Sequence, residues 1–526
     1  MNNNQYTYNQ PPMGQMMPPP QISMRQRMVQ GVRRVQDVFP RWLSTYPIVT
    51  YILALMVVSF MYSDYSIPWY YMLAGIVSTV VFFFYGSNLA ERLSPLKMRK
   101  ERIFEQRIFL IAFIPRIIWV FLIYYLFMEY YGNVFGFETA DAPFYDILGQ
   151  DFATSIRDGN FIAMWQNTSK RIDISDMGYG VYVGVIYWLT GSKGVLNENG
   201  YGGDLEGIIT VRLLKCVWSA LTVLLIFRLA KRNFGEQTGR VAAIFCALWP
   251  NFWYYCGTHL KETEMVFLSV LFVEQADQML RSRQFTAWKI IPVLLIGATL
   301  LTFRTPLALV AFLSLIFSVV MSSQRVVSWG KRFVVGGLAI LLIGITLGNQ
   351  IEEQSRMLLE TAQSNEQARN MEWRGVREHG NAFAKYAGKS VFAPLIFTIP
   401  FPSMVRPFDG QDVQQLLNGS NFIKNIISFF TIFAMVLLLV SGNWRDHLLL
   451  LSFMLGYLVV LTMSQFAQSE RFHQPVMPFE LMFAAYGLSI AVTKAKYKRW
   501  FTYWSVLMFV ACIVWNWFKM AGRGLA

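Results

Sequence analysis

The feature that most limits what this chain can fold into is the repeated return of apolar stretches of roughly 17 to 22 residues. At about 1.5 Å of rise per residue, such a stretch crosses a hydrocarbon core of about 30 Å. Lipid offers the backbone no hydrogen-bonding partner, so each stretch must be helical. The composition agrees: with 54% hydrophobic, 16% aromatic and only 15% charged residues, the chain is too apolar for a soluble protein. The expected fold is an all-α membrane protein.

The hydrophobic pattern places spans near 47–63, 69–88, 108–128, 208–230, 241–256, 262–280, 290–302, 306–322, 333–348, 422–440, 447–463, 475–493 and 501–518. That makes about thirteen transmembrane helices. A net charge of +14 invites a nucleic-acid reading, but the Lys and Arg residues alternate with apolar spans instead of forming one basic face. No nucleic-acid partner is expected. With the N-terminus cytoplasmic, the basic loops around Arg92–Arg107, Lys231–Arg240, Arg281–Lys289, Arg325–Arg332 and Lys494–Arg499 all fall inside, as the positive-inside rule requires. The expected location is the plasma (inner) membrane.

Residues 1–24, rich in Pro, Met, Gln and Asn, read as a disordered cytoplasmic tail without a cleavable signal. Residues 25–107 read as a two-helix N-terminal addition, followed by a transmembrane core over 108–348. Two long segments fall outside: a first outer loop at 129–207 and a second at 349–421, ahead of C-terminal helices over 422–526. Within the first loop, 180–189 is too short for an easy crossing and reads as an interfacial helix. Cys216, Cys246, Cys256 and Cys512 show neither a disulfide framework nor zinc-ligand spacing. No P-loop, dinucleotide fingerprint or HExxH pattern is present.

The topology gathers a set of ionisable residues at one depth. Asp141 opens the run Asp141-Ala-Pro-Phe-Tyr145 after the third span, with Glu138 just before it. Lys261 and Glu262 occupy the turn between the fifth and sixth spans, Arg304 that between the seventh and eighth, and Arg471 with His473 that between the eleventh and twelfth. Charge at such positions is costly and usually has a task. Sugar transfer from a lipid phosphate needs a base for the acceptor hydroxyl and cations for the leaving phosphate, and this set supplies both. Each residue also has a plainer reading. Asp141 could cap the helix that follows it, Lys261 and Glu262 could form a surface pair, and Arg304 and Arg471 could snorkel. Asp151, Asp158, Asp173 and Asp176 read as solvated loop acids, and Arg116, inside the third span, as the partner of a buried acid.

The run Asp141-Ala-Pro-Phe-Tyr145, then Gly159-Asn160 and the Gly178 to Gly191 segment, resembles the first outer loop of type C glycosyltransferases, of the protein-mannosyltransferase-like and aminoarabinose-transferase-like families. Val211-Arg-Leu-Leu-Lys215, Trp249-Pro250, His259-Leu-Lys-Glu262 and Arg471-Phe-His-Gln-Pro-Val-Met-Pro478 are similar to later motifs of that group, in the same order. The resemblance implies a polyprenyl-phosphate-linked sugar donor and a lipid, glycan or protein acceptor at the extracytoplasmic face. It implies Asp141 as catalytic carboxylate, with Glu138 beside it. Tyr145, His259, Lys261, Glu262, Arg304, Arg471 and His473 are the implied substrate-binding residues. Many relatives carry Asp-Glu where this chain has Asp141-Ala142, and a divalent metal is the one cofactor the resemblance allows.

Two other classes compete. A polysaccharide polymerase or ligase would use Arg and His in the two outer loops, without an early carboxylate. A lipid or glycan flippase would carry polar residues through the middle of many helices. Here the span centres look apolar apart from Arg116 and a few others.

Overall fold

The computed structural model describes residues 69–93, 100–136, 140–170, 174–195, 205–282, 287–328, 420–463, 470–492 and 495–521, with isolated positions elsewhere. Most of the first and ninth expected spans, most of the second outer loop, the N-terminal tail and Glu138 lie outside the described residues. The described residues are all-helical. Five of their helices are long and apolar enough to cross a membrane, which makes this a multi-pass membrane protein.

In chain order the helices are α1 (Trp69–Val80), α2 (Gly86–Arg92), α3 (Glu101–Tyr131), α4 (Asp141–Arg157), α5 (Phe161–Ser169), α6 (Ile174–Thr190), α7 (Glu206–Phe234), α8 (Glu236–Leu248) and α9 (Pro250–Cys256). There follow α10 (Glu262–Arg281), α11 (Ala287–Phe303), α12 (Thr305–Met321), α13 (Ser420–Val440), α14 (Leu448–Met463), α15 (Glu470–His473), α16 (Met477–Ala491) and α17 (Ala495–Ala521). A π-turn, Val81–Tyr85, joins α1 to α2. The hub is α7, which packs on α3, α8 and α10, while α16 closes against α8 and α13.

The fifth expected span is two helices. Trp249 adopts an extended conformation (φ −66°, ψ 118°), the geometry that a following proline favours, and Pro250 then starts α9. The first outer loop also holds more order than the one interfacial helix expected of it, for α4, α5 and α6 are stacked on one another. Two glycines permit the closest contact. A Cβ on Gly149 would stand 2.4 Å from Val183 Cγ1, and one on Gly184 would stand 2.6 Å from Phe152 Cβ and 3.1 Å from the Gly149 carbonyl. Asp146, buried in that contact, accepts hydrogen bonds from Tyr187 (2.5 Å), Gln150 (2.8 Å) and the Val195 amide (3.1 Å).

Buried cations tie loop carbonyls to the bundle. Arg212 donates to the Val134 carbonyl at 2.6 Å, Lys215 to that of Leu260, and Arg240 to those of Leu93 and Met98. Each satisfies an acceptor that lipid would leave unpaired. Arg116 belongs to this group: its partners are the Ala112 and Cys246 carbonyls (2.5 and 3.2 Å), not the acid expected of it.

The loops that alternation assigned to one side do meet. Arg228 pairs with Glu105 and Lys231 with Glu101, Arg232 grips Glu274 and Asp277, and Arg281 donates to the Asp446 carbonyl. The residues assigned to the other side meet at the opposite end of α7 and α10.

Candidate functional site

Five short segments from distant parts of the sequence build this second cluster. Arg471, on the one-turn helix α15, is its centre. Its Nη1 stands 2.5 Å from Asp141 Oδ2 at the start of α4, and its Nε binds Glu262 Oε1 at the start of α10. A guanidinium suits such a role because its planar donors can engage two carboxylates at once. The Glu262 side chain is fully buried, whereas that of Asp141 is 47% exposed. The pair therefore has a shielded end and an end open to a substrate. Burial works against the Arg471 charge, but Glu262 and Asp141 outweigh it and hold the guanidinium protonated.

This arrangement differs from the plainer readings of Asp141, Lys261, Glu262 and Arg471. Ala140, not Asp141, is the N-cap of α4, and no side chain caps that helix; Asp141 is held by Arg471 instead. Lys261 and Glu262 do not pair with each other at the surface. Glu262 turns to Arg471, and Lys261 turns to Asp176 at the start of α6. Arg471 is held in the bundle and does not snorkel.

Lys261, with a side chain only 5% exposed, donates to Asp176 Oδ1 and to the Ser175 carbonyl at 2.9 Å. Tyr145, one turn along α4 from Asp141, donates to the same Asp176 oxygen at 2.8 Å, and its ring lies 5.8 Å from the ammonium. Asp176 is thus not the solvated loop acid that its position in sequence suggested. Burial tends to raise its pKa, but Lys261 and the Tyr145 hydrogen bond reverse this and hold it below the usual carboxylate range. Burial lowers the Lys261 pKa, and Asp176 opposes that shift. The Tyr145 hydroxyl is pushed up by burial and by Asp176.

Arg304, in the extended link between α11 and α12, lies with its guanidinium 4.2 Å from the Phe472 ring centroid, next to Arg471. Among the described residues it has no hydrogen-bond or ion-pair partner, and its charge acts on both Asp176 and Lys261. A partly exposed cation with its head unengaged is suited to an anion from outside.

The two histidines fall away from this centre. His259 is buried among Phe135, Tyr179 and Tyr187, with centroid distances of 6.0 to 6.5 Å and neither ring nitrogen hydrogen-bonded. Burial, reinforced by Lys215 and Arg212, holds it neutral with a pKa well below 6.5. His473 faces the other side of α15, where its Nδ1 is 3.5 Å from Lys424, which also lies 3.7 Å from Glu480 and 4.0 Å from Glu470. That buried Lys424 cluster, like the Lys215–Glu264 pair at 3.4 Å behind the turn, had no part in the sequence reading. One signal was available: Lys215, Glu264, Lys424 and Glu480 are charges set within apolar stretches, where only a buried partner makes them tolerable.

Beside Glu262 a narrow hollow opens between α7, α9 and α10, lined by Ser219, Thr222, Phe252, Tyr255, Glu262, Thr263 and Val266. Among the described residues the donor set does not suit a divalent ion. Arg471 already engages Asp141 and Glu262, and among the described residues no three His, Cys, Asp or Glu side chains converge.

Residues 205–347 match the family model of the dolichyl-phosphate-mannose-protein mannosyltransferases. The matched segment contains α7 to α12 and hence Lys261, Glu262 and Arg304; Asp141, Tyr145, Asp176 and Arg471 lie outside it. Over this part of the chain the match agrees with the resemblance read from the sequence. No curated protein and no solved structure gives a significant match.

Proposed function

We propose that this chain is a glycosyltransferase of the type C class, which moves a sugar from a polyprenyl-phosphate-linked donor to an acceptor hydroxyl at the extracytoplasmic face. The observation that carries the reading is the Asp141–Arg471–Glu262 bridge, a half-exposed carboxylate beside cations at one end of the bundle.

In this reading the acceptor oxygen attacks the anomeric carbon as the bond from that carbon to the phosphate oxygen breaks, with inversion. The acceptor proton passes to Asp141, and the electron pair of the broken bond leaves with the polyprenyl phosphate. Arg471 holds the Asp141 carboxylate by a direct ion pair, with its side chain still half open to an acceptor. Arg304 and Lys261 meet the growing phosphate charge, and Arg471 orients Asp141 through one donor while Glu262 fixes the other. Tyr145 holds Asp176 in place. His259 and His473 support the turn and α15 and do not touch the reacting groups.

The flippase alternative is weakened because the buried charges are already engaged: Lys215 by Glu264, Lys424 by Glu480, and Arg116 by two carbonyls. The polymerase alternative expects no carboxylate soon after an early span, whereas Asp141 stands there with its side chain half exposed and paired with Arg471. Mass spectrometry of glycolipids, glycans and glycoproteins from a deletion strain tests the reading. One glycan or glycolipid species should lose a single sugar and regain it on complementation, while an unchanged profile would argue against it.

A further inference from the structure

Asp176 is an anion placed among cations that a phosphate-handling site would be expected to keep free. It lies on the first turn of α6, with its side chain 33% exposed, and one of its oxygens accepts from both Lys261 and Tyr145. The start of α6 is pressed against the end of α11. A Cβ on Gly178 would stand 2.3 Å from Thr302 Oγ1 and 2.8 Å from Phe303, the neighbour of Arg304. Asp176 is therefore lodged between Lys261, carried by α10, and Arg304, carried by the link from α11 to α12.

We infer that Asp176 is a positioning residue, which holds Lys261 charged and aimed beside Arg304 so that the two cations flank one phosphate of the lipid-linked donor. This rests on the function proposed above and extends it to a residue outside the matched family segment. The argument begins with burial. An ammonium as enclosed as that of Lys261 cannot stay charged without a close anion. Charged groups face it from each neighbouring element: Asp176 from α6, Arg304 from the link before α12, and Glu262 from the next position of its own chain, while Tyr145 of α4 adds its ring. Glu262 is committed to Arg471, and Arg304 repels the ammonium, so Asp176 is the group that keeps it protonated. Through its bond to Tyr145, Asp176 also fixes α4 one turn from Asp141. A single carboxylate thus sets the distance between the base and the phosphate clamp.

The inference makes a statement about pH. Without the Asp176 charge, Lys261 loses its proton at lower pH, and affinity for a lipid phosphate must fall with it. The test uses the full-length protein in nanodiscs and polyprenyl monophosphate as the probe, with binding followed from pH 6 to pH 10 for the wild type, Asp176→Asn, Asp176→Glu and Arg304→Met. Asp176→Asn should move the alkaline loss of binding down by roughly one pH unit or more. Asp176→Glu should restore most of it, and Arg304→Met should weaken binding at every pH without moving the limb downward. If Asp176→Asn keeps the wild-type profile while Arg304→Met binds weakly, this inference falls and the proposed function stands. If the wild type does not bind the lipid phosphate at all, both fall.

Discussion

Arg471 Nη1 lies 2.5 Å from Asp141 Oδ2, although 330 positions separate the two residues in the chain. Around that contact the starts of α4 and α10 and the short helix α15 converge.

The guanidinium engages Asp141 and Glu262 through different nitrogens, a geometry that a single ammonium cannot reproduce. Arg471→Lys should therefore keep the positive charge yet lose orientation of Asp141. Turnover is expected to fall by about tenfold to a hundredfold, with a smaller change in donor KM. Steady-state kinetics in nanodiscs measure the split.

His259 is neutral in the folded protein, because burial and then Lys215 and Arg212 hold its pKa well below 6.5. The unfolded chain takes up a proton as pH falls below about 6.5, and the folded one does not until much lower pH. Stability is therefore lost as pH falls below about 6.5 toward the depressed folded value. Thermal denaturation at pH 7.5 and pH 5.5 should show a smaller acid-induced drop in Tm for His259→Phe than for the wild type. The pH profile of binding or turnover should be unchanged by this substitution.

Among the described residues, Lys424 is the one cation that lies within 4.0 Å of both Glu470 and Glu480, in a buried cluster with His473. Lys424→Met leaves two carboxylates without their counter-ion, a change that costs about 3–5 kcal/mol in comparable buried pairs. A lower Tm and a lower yield of folded protein are expected, and a double variant that adds Glu480→Gln should recover part of the loss.

Gly149 carries a close crossing of α4 on α6, with no space for a side chain against Val183. Gly149→Val should push α4 away and cost about 1–3 kcal/mol. Because α4 begins at Asp141, activity should fall more than Tm does. Comparing residual activity with Tm for this variant measures that coupling.

Much of this arrangement could be read from the chain, and the part that could not has a physical reason. Apolar length located α7, α10, α13 and α14 to within about four residues, while α3 and α17 begin six or seven residues before their apolar stretches, on polar turns that hydropathy does not mark. Alternation of sides then grouped Asp141, Lys261, Glu262, Arg304 and Arg471, because topology constrains depth strongly. It does not constrain rotation about a helix axis. His473 shares α15 with Arg471 but faces Lys424, and no spacing rule distinguishes the two faces of a one-turn helix. Asp176 looked like an ordinary loop acid because its partner Lys261 is 85 positions away, across a fold between loop helices. The Trp249-Pro250 break was visible as a proline, yet the apolar run passed through it unchanged.

Asp141 is the group on which the proposed chemistry turns, and its replacement is the most direct test. With a polyprenyl-phosphate-linked sugar as donor and nanodisc-embedded protein, transfer by Asp141→Asn should fall by at least about a hundredfold. Donor binding and Tm should stay close to wild type, because the side chain is half exposed and Glu262 still holds Arg471. Wild-type rates of transfer in Asp141→Asn would contradict the account.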